Sequence, residues 1–195
     1  MQKSNRMTNE FFNESKQHCR INNVNVALNS SLCQDQKLIC SWCELMGASG
    51  IETLKLLEDF IPNFIGIDLD PDNIIKYKSI YPNYQWHVAN FFDIINKLDD
   101  VGVLNLDIYG NVGYDRDYAD LLRIKSIIHK SINKFGEFIL FYNKDLDGVL
   151  RQKQNPGKML RYHSQKICDA FNNYLPNRKF DLYSLMPQGA EKEIN

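Results

Sequence analysis

Short runs of apolar, β-branched and aromatic residues alternate with helical patterns along the middle of the chain. Runs of strand length begin at Leu38, Phe64, Tyr84 and Val101. Turn-forming or helix-starting residues follow each run, and the next segment spaces its apolar residues as one face of a helix does. This alternation predicts an α/β fold with a doubly wound, mostly parallel sheet and helices on both of its faces.

The same pattern predicts the bounds of the elements. Strands are expected over 38–44, 64–67, 84–89, 101–108, 136–143 and 180–185, and helices over 51–60, 71–79, 115–134 and 158–174, with a short one ending near 98. The helix over 115–134 is predicted to be the longest. Pro71 suits the first helical position, Asp70 suits the capping position before it, and Asp72 falls in the first turn.

Length and composition predict one domain with an N-terminal extension. The chain has 195 residues, of which 44% are hydrophobic, enough for one sizeable core. Residues 37–195 are assigned to this domain and residues 1–36 to a helical or irregular extension. In the extension, 8–18 is predicted as a helix capped by Thr8, and 24–32 as a short strand or an irregular lid.

Charge and hydropathy narrow the classes of partner and compartment. The net charge of −1 provides no global basic field of the kind that nucleic-acid binders carry. A local basic region, 144–166, follows the fifth predicted strand, and it predicts either contacts with the phosphates of a nucleic-acid substrate or a solvated loop. No stretch approaches the roughly 20 apolar residues that span a bilayer, so we expect a soluble, intracellular and cytoplasmic protein without membrane contact.

The five cysteines do not suggest a disulfide framework. Cys40 and Cys43 form a C-x-x-C pair inside the first predicted strand, a spacing that zinc or redox sites use. No second pair accompanies them, and small thiols commonly pack in cores. We therefore predict buried core thiols and no metal site.

A nucleotide-sized site is predicted where the first two strands end. The segment ELMGASG, from Glu44 to Gly50, places small residues between a strand and a helix, where the main chain turns sharply and approaches a ligand closely. The second strand ends at Asp68. A carboxylate at that position accepts hydrogen bonds from both hydroxyls of a ribose, so these elements together predict a site for a nucleoside.

These motifs, with VANFFD after the third strand and NLDIYG at the end of the fourth, resemble those of the class I, Rossmann-like S-adenosylmethionine-dependent methyltransferases over residues 38–143. The resemblance implies a Rossmann-like fold, here possessing six evident strands and lacking the last, antiparallel one. It also implies S-adenosylmethionine as the cofactor, with the ribose on Asp68. The implied cofactor-binding residues are Glu44, Met46, Gly47, Ala48, Gly50, Asp68, Leu69, Asn90 and Phe91.

The fourth-strand motif implies where the methyl acceptor lies. LDIYG is similar to the corresponding run of the tRNA guanine-N2 dimethyltransferases, with Ile108 where they have proline. By this resemblance Asp107 orients the acceptor amine or oxygen and Tyr109 stacks on its ring. The implied acceptor is a base amine of a nucleic acid or a small molecule.

Each of these assignments has a structural alternative. Asp68 is alternatively a helix-capping acid, although Asp70 suits that role better. Asp107 is alternatively the partner of Arg116 or Arg123 in a salt bridge. Tyr109 alternatively packs against its neighbours, and His87 is interpreted as a satisfied core or edge histidine.

Two further functions stay open at this point. In ELMGASG, Met46 and Ala48 stand where the family that the chain resembles usually has its first two glycines. This altered glycine pattern and the missing strand favour a catalytically inactive, methyltransferase-like binding or interaction module. An NAD-dependent enzyme also fits a strand, a turn and an acid, but the turn lacks G-x-G-x-x-G and no hydride-transfer partner is evident, so this function ranks last.

Overall fold

The computed structural model of the chain describes residues 9–46, 51–107 and 122–143. The strand predicted over 180–185, the helix over 158–174 and the basic region 144–166 lie outside the described residues. In the described part, helices alternate with strands that form a parallel sheet, which confirms the predicted α/β fold.

The described chain opens with a long helix and a small hairpin. Helix α1 (Asn9–Leu28) is followed by the antiparallel strands β1 (Cys33–Gln34) and β2 (Lys37–Leu38). The expectation of a strand or lid over 24–32 is wrong, because Val24 and Ala27 lie three residues apart and are both buried on one face of α1. These two side chains join the same apolar cluster as Trp42 of the sheet, so residues on both sides of position 36 share one core.

Five strands form the main sheet, and every neighbouring pair is parallel. They are β3 (Ser41–Leu45), β4 (Phe64–Asp68), β5 (Gln85–Val88), β6 (Val101–Asp107) and β7 (Ile139–Asn143). Their spatial order is β5-β4-β3-β6-β7. The chain thus places β4 and β5 in turn on one side of β3, and then returns to place β6 and β7 on the other side. The direction of winding reverses between β3 and β6, and in open parallel sheets ligands bind outside the carboxyl ends of the strands at such a point.

Helices cover both faces of the sheet, as predicted. The chain continues with α2 (Ile51–Leu57), α3 (Pro71–Ile80), α4 (Phe91–Ile94), a 3-10 turn (Ile95–Lys97) and α5 (Lys125–Phe135). Buried residues of α1, α2 and α3 cluster with Trp42, Phe64 and Val103. Residues of α4 and α5 cluster with Cys43 and Leu104 on the opposite face. Neighbouring positions of a strand face opposite sides, so near-continuous apolar strands supply both cores.

Helix α5 departs from its prediction in length. The predicted helix over 115–134 is interrupted at Ile124, whose φ of −93° and ψ of 1° are not helical, and a regular helix begins at Lys125. Residues 115–121 lie outside the described residues. The longest helix of the described part is α1, with 20 residues. Gly136 ends α5 with a φ of 80°, a left-handed conformation that glycine adopts without strain.

Within the residues that the structure describes, no helix combines the length and the apolar content that crossing a bilayer requires. The sheet and its two layers of helices form the framework of the described residues. Acidic residues lie at the carboxyl ends of three of its strands, Glu44 in β3, Asp68 in β4 and Asp107 in β6.

Candidate functional site

The carboxyl ends of β3, β4 and β6, which we call the carboxyl edge, bring together three acids predicted from sequence. In the register of the sheet, Glu44 lies opposite Gly66 of β4 and Asn105 of β6. Asp68 ends β4 and Asp107 ends β6. Parallel strands that end at one edge converge there, and this convergence builds the candidate site.

Glu44 is buried in the sheet beneath α2. Its side chain is 4% exposed, and its carboxylate accepts hydrogen bonds from the indole of Trp42 at 3.0 Å and from the hydroxyl of Thr53 at 2.8 Å. Asn105 also donates to it, and the charge of Arg20 lies near it. Burial nevertheless dominates, and it raises the pKa of Glu44 from 4.5 to about 7, because an ionised carboxylate is poorly solvated there.

This buried network joins three elements at the point where the winding reverses. Glu44 and Trp42 belong to β3, Thr53 to the first turn of α2 and Asn105 to β6. The hydrogen bond from Thr53 holds the start of α2 against the end of β3, on either side of the turn 47–50. Glu44 therefore fixes the start of α2 relative to β3, and its assignment as a direct ligand of a cofactor stays a prediction.

Asp68 lies in a more open environment at the end of β4. One carboxylate oxygen accepts a hydrogen bond from the backbone N–H of Asp70 and the other from the side-chain amide of Asn73, both at 3.0 Å. An ionised carboxylate offers about four acceptor positions, so two of them stay available to a ligand. Asp70 itself caps α3 by accepting from the N–H of Asp72 at 2.9 Å, which confirms its predicted capping role.

Two exposed apolar side chains flank Asp68. Leu69 is 69% exposed, and Val88, which lies opposite Asp68 in β5, is 53% exposed. The backbone carbonyl of Asp68 accepts a hydrogen bond from Ala89 at 3.0 Å, which holds the ends of β4 and β5 together. An acceptor between two exposed apolar groups matches a ligand that has hydroxyl groups beside a flat, apolar ring.

The other described residues of the predicted cofactor site differ in their exposure. Met46 is 3% exposed, lies beside Gly66, and donates its backbone N–H to Ile67 at 2.9 Å. Phe91 is 4% exposed and packs edge-on against Phe92 in the core beneath α4.

Asn90 is exposed and caps α4 by accepting from the N–H of Phe92 at 3.0 Å. Capping uses one of the two acceptor positions on the amide oxygen, so the second position and the amide N–H groups stay available to a ligand. The predicted ligand contacts of Met46, Asn90 and Phe91 stay predictions.

The predicted catalytic residues are described only in part. The backbone of Asp107 pairs with Asn143 at the end of β7, while Tyr109 and the turn residues Gly47, Ala48 and Gly50 lie outside the described residues, as does Arg116. Arg123, the other alternative partner of Asp107, lies 4.0 Å from the carboxylate of Asp93 and 4.1 Å from the ring centre of Phe92.

Cys40 and Cys43 are core thiols, as predicted. They are 1% and 0% exposed and belong to the two apolar clusters on opposite faces of the sheet. Burial raises the pKa of Cys43 and raises that of Cys40 to about 12, so both stay protonated. Among the described residues, no three His, Cys, Asp or Glu side chains are grouped as metal ligands.

His87 corrects one prediction. It lies in the edge strand β5, as expected for an edge histidine, but its Nε2 atom is buried without a hydrogen-bond partner in the described part of the chain. The prediction that this histidine is satisfied is therefore wrong. Its neighbour across the sheet is Ile67, whose apolar side chain supplies no acceptor or donor.

Three residues of the site were not found by sequence reasoning. Asn105 is a polar residue inside the apolar run of β6, and this exception was a usable signal, like that of Asp107. Thr53 and Arg20 carried no such signal, because a threonine and an arginine are ordinary on amphipathic helices. Only the packing of α1 and α2 on the sheet brings them to Glu44.

Comparison of the chain with protein-family models, curated proteins and solved structures found no match in any of the three. The strand order and the residues of the carboxyl edge are therefore the observations from which a function must be argued.

Proposed function

We propose that this protein is an S-adenosylmethionine-dependent methyltransferase of the Rossmann-like fold, with its cofactor at the carboxyl edge. The observation that carries the proposal is the position of Asp68. Its half-exposed carboxylate ends the strand next to the reversal point and retains about two free acceptor positions. This arrangement suits the two hydroxyls of a ribose.

The described residues fit the nucleoside half of this cofactor. Asp68 supplies acceptors, Leu69 and Val88 supply exposed apolar surface beside them, and Asn90 supplies an exposed amide at the start of α4. The turn 47–50, which the resemblance assigns to the methionine half, lies outside the described residues, but its two ends are fixed by the hydrogen bond between Glu44 and Thr53.

Methyl transfer depends mainly on how the protein positions the two reacting groups. The cofactor, when bound, supplies an electrophilic methyl group for an in-line displacement. The protein must align the acceptor with that group and exclude water, and it needs no strong base for this. In the proposal Asp107 orients the acceptor, and Tyr109 stacks on its ring.

The acceptor is proposed to be a base amine of a nucleic acid or a small molecule, with the basic region 144–166 contacting phosphates in the first case. Substitution Asp107→Ala is expected to abolish turnover while cofactor affinity changes by less than about twofold, since the acceptor and the cofactor are held by different residues. Equal loss of turnover and of cofactor affinity would contradict this assignment.

Calorimetric titration with S-adenosylhomocysteine tests the cofactor site. We expect micromolar binding by the unmodified protein, about −8 kcal/mol, and a loss of about 1.5 to 3 kcal/mol in Asp68→Ala, the range for hydrogen bonds to a charged group. Asp72→Asn is the matched control, because it removes a nearby carboxylate that lies in the first turn of α3 and not at the strand end.

The control variant is expected to bind as the unmodified protein does. Thermal unfolding of both variants checks that the fold is retained. Absence of binding by a folded, unmodified protein would reject the proposed function.

The second candidate function is a methyltransferase-like binding module without catalysis. It is favoured by Glu44, which is 4% exposed and accepts hydrogen bonds from Trp42 and Thr53 inside the protein. This module and the enzyme differ in one measurement. A protein that binds S-adenosylhomocysteine but transfers no labelled methyl group to RNA, DNA or a metabolite extract matches the module.

A further inference from the structure

Arg20 lies on the face of α1 that packs against the rest of the protein. It precedes the buried residues Asn23, Val24 and Ala27 by three, four and seven positions, which is the spacing of one helical face. Its own side chain is half-buried. Arg20 therefore belongs to the inner face of the helix and is not an ordinary surface cation.

The direction of α1 carries Arg20 to the carboxyl edge. The helix ends at Leu28, and the chain then reaches the amino ends of the strands, where Leu32 accepts a hydrogen bond from Ile39 at 2.8 Å. Arg20 precedes Leu28 by about two helical turns, roughly 12 Å along the axis. Strand β3 spans a similar length, roughly 13 Å, between its ends. Arg20 is thus level with the end of β3 and near Glu44, as the effect of its charge on that carboxyl group also indicates.

The guanidinium of Arg20 has spare hydrogen-bonding capacity. It carries five N–H donors, and in the described structure one of its nitrogens makes a long hydrogen bond of 3.4 Å to the side-chain carbonyl of Gln17. None of the described carboxylates forms an ion pair with it. Glu44 neutralises it only in part, because burial raises the pKa of Glu44 to about 7 and its oxygens already accept hydrogen bonds from Trp42 and Thr53.

We propose that Arg20 binds the carboxylate of the ligand held at the carboxyl edge, and so determines specificity for a nucleoside that bears an amino-acid group. This inference rests on the proposed function, in which that group is the methionine end of S-adenosylmethionine. A guanidinium fork matches a carboxylate with two parallel hydrogen bonds, and partial burial strengthens such a pair. The N-terminal helix α1, to which sequence analysis assigned no chemistry, becomes part of the binding site.

A pair of ligands that differ in the carboxylate tests the inference. S-adenosylhomocysteine has the amino-acid group, and 5′-methylthioadenosine has the same nucleoside and sulfur without it. Calorimetry on the full chain compares the unmodified protein with Arg20→Gln and Arg20→Lys. Lys55→Gln is the matched control, because Lys55 is an exposed cation on α2 that pairs with Glu52 at 2.8 Å.

We expect Arg20→Gln to weaken binding of S-adenosylhomocysteine by about 10- to 100-fold, the loss of a charge-assisted hydrogen bond. Binding of 5′-methylthioadenosine should change by less than about twofold. Arg20→Lys, which keeps the charge but loses the fork, should fall between the unmodified protein and Arg20→Gln. Lys55→Gln should leave both affinities unchanged.

Three results would overturn the inference. Arg20→Gln that weakens both ligands equally would show that Arg20 only supports the fold, and Arg20→Gln that weakens neither would show that it has no contact with the ligand. If both Arg20 variants fail to fold, the unmodified protein decides, because equal affinity for the two ligands excludes a carboxylate contact. A folded, unmodified protein that binds neither ligand rejects the proposed function itself, which distinguishes the two failures.

Discussion

Glu44 and Asp68 stand at the carboxyl ends of adjacent parallel strands, yet their environments are opposite. Glu44 is buried, accepts hydrogen bonds from Trp42 and Thr53 and has a raised pKa, whereas Asp68 is half-exposed and accepts from the loop that follows it. The difference arises from what covers each strand end. Helices α1 and α2 cover Glu44, and its carboxylate organises the core, while Asp68 remains accessible to a ligand.

Removal of the two carboxylates should separate these roles most strongly. Glu44→Ala is expected to lower the free energy of unfolding by about 4 kcal/mol, because it leaves the indole of Trp42 and the hydroxyl of Thr53 buried without an acceptor and also leaves a cavity. Asp68→Ala should cost about 1 kcal/mol or less, since water reaches the donors that it leaves. Urea unfolding measures both, and losses of equal size would remove the distinction between the two acids.

The pH dependence of stability should report the ionisation of Glu44. Because the folded state raises the pKa of Glu44 from 4.5 to about 7, it holds this proton more tightly than the unfolded chain does. The contribution of Glu44 to the free energy of unfolding is fully present below pH 4.5 and is lost as the pH rises through 7. The change amounts to about 3 kcal/mol. The charge of Arg20 opposes the shift, so it is already included in this value.

The variant Glu44→Gln isolates that contribution. Between pH 4 and pH 8, the unmodified protein should lose about 3 kcal/mol of unfolding free energy relative to Glu44→Gln. A difference that stays constant over this range would mean that the group titrates as an exposed glutamate does.

Thr53 and Asn73, which donate hydrogen bonds to Glu44 and Asp68, allow a matched comparison of the two acids. Thr53→Val removes the hydroxyl that Glu44 accepts from and should cost about 1.5 kcal/mol, because the bond is buried. It should also raise the pKa of Glu44 further, since that hydrogen bond lowers it. Asn73→Ala removes the corresponding donor to Asp68 and should cost about 0.5 kcal/mol. A larger loss in Asn73→Ala would place the more important network at Asp68.

Small and unequal effects are expected from the two acids that follow Asp68 at the start of α3. Asp70→Ala should lower stability by about 1 kcal/mol, because it removes the N-cap of α3. Asp72→Ala should cost about 0.3 kcal/mol, through its interaction with the helix dipole alone. Thermal unfolding measures both, and equal effects would argue against the capping hydrogen bond.

Much of this fold was predictable because it follows from local patterns. The predicted strands over 64–67, 84–89 and 101–108 correspond closely to β4, β5 and β6, and Pro71 begins α3 as expected. The errors fall where the pattern is weak or polar. The sequence predicts a strand or lid over 24–32, whereas α1 continues to Leu28, because Val24 and Ala27 pack in the core with residues of α2 and the sheet.

The candidate site, like the fold, was predictable from the sequence only in part. The chain's own sequence determined which acids end the strands, since strand ends and turn residues are set by hydrophobic period and backbone preference, and it placed Asp68 and Asp70 in distinguishable roles. Only the tertiary structure decided the strand order that puts the reversal point between β3 and β6, the burial of Glu44 and the approach of Thr53, Asn105 and Arg20 to it. The physical reason is that burial and charge pairing depend on contacts between segments distant in sequence, and no local pattern encodes those contacts.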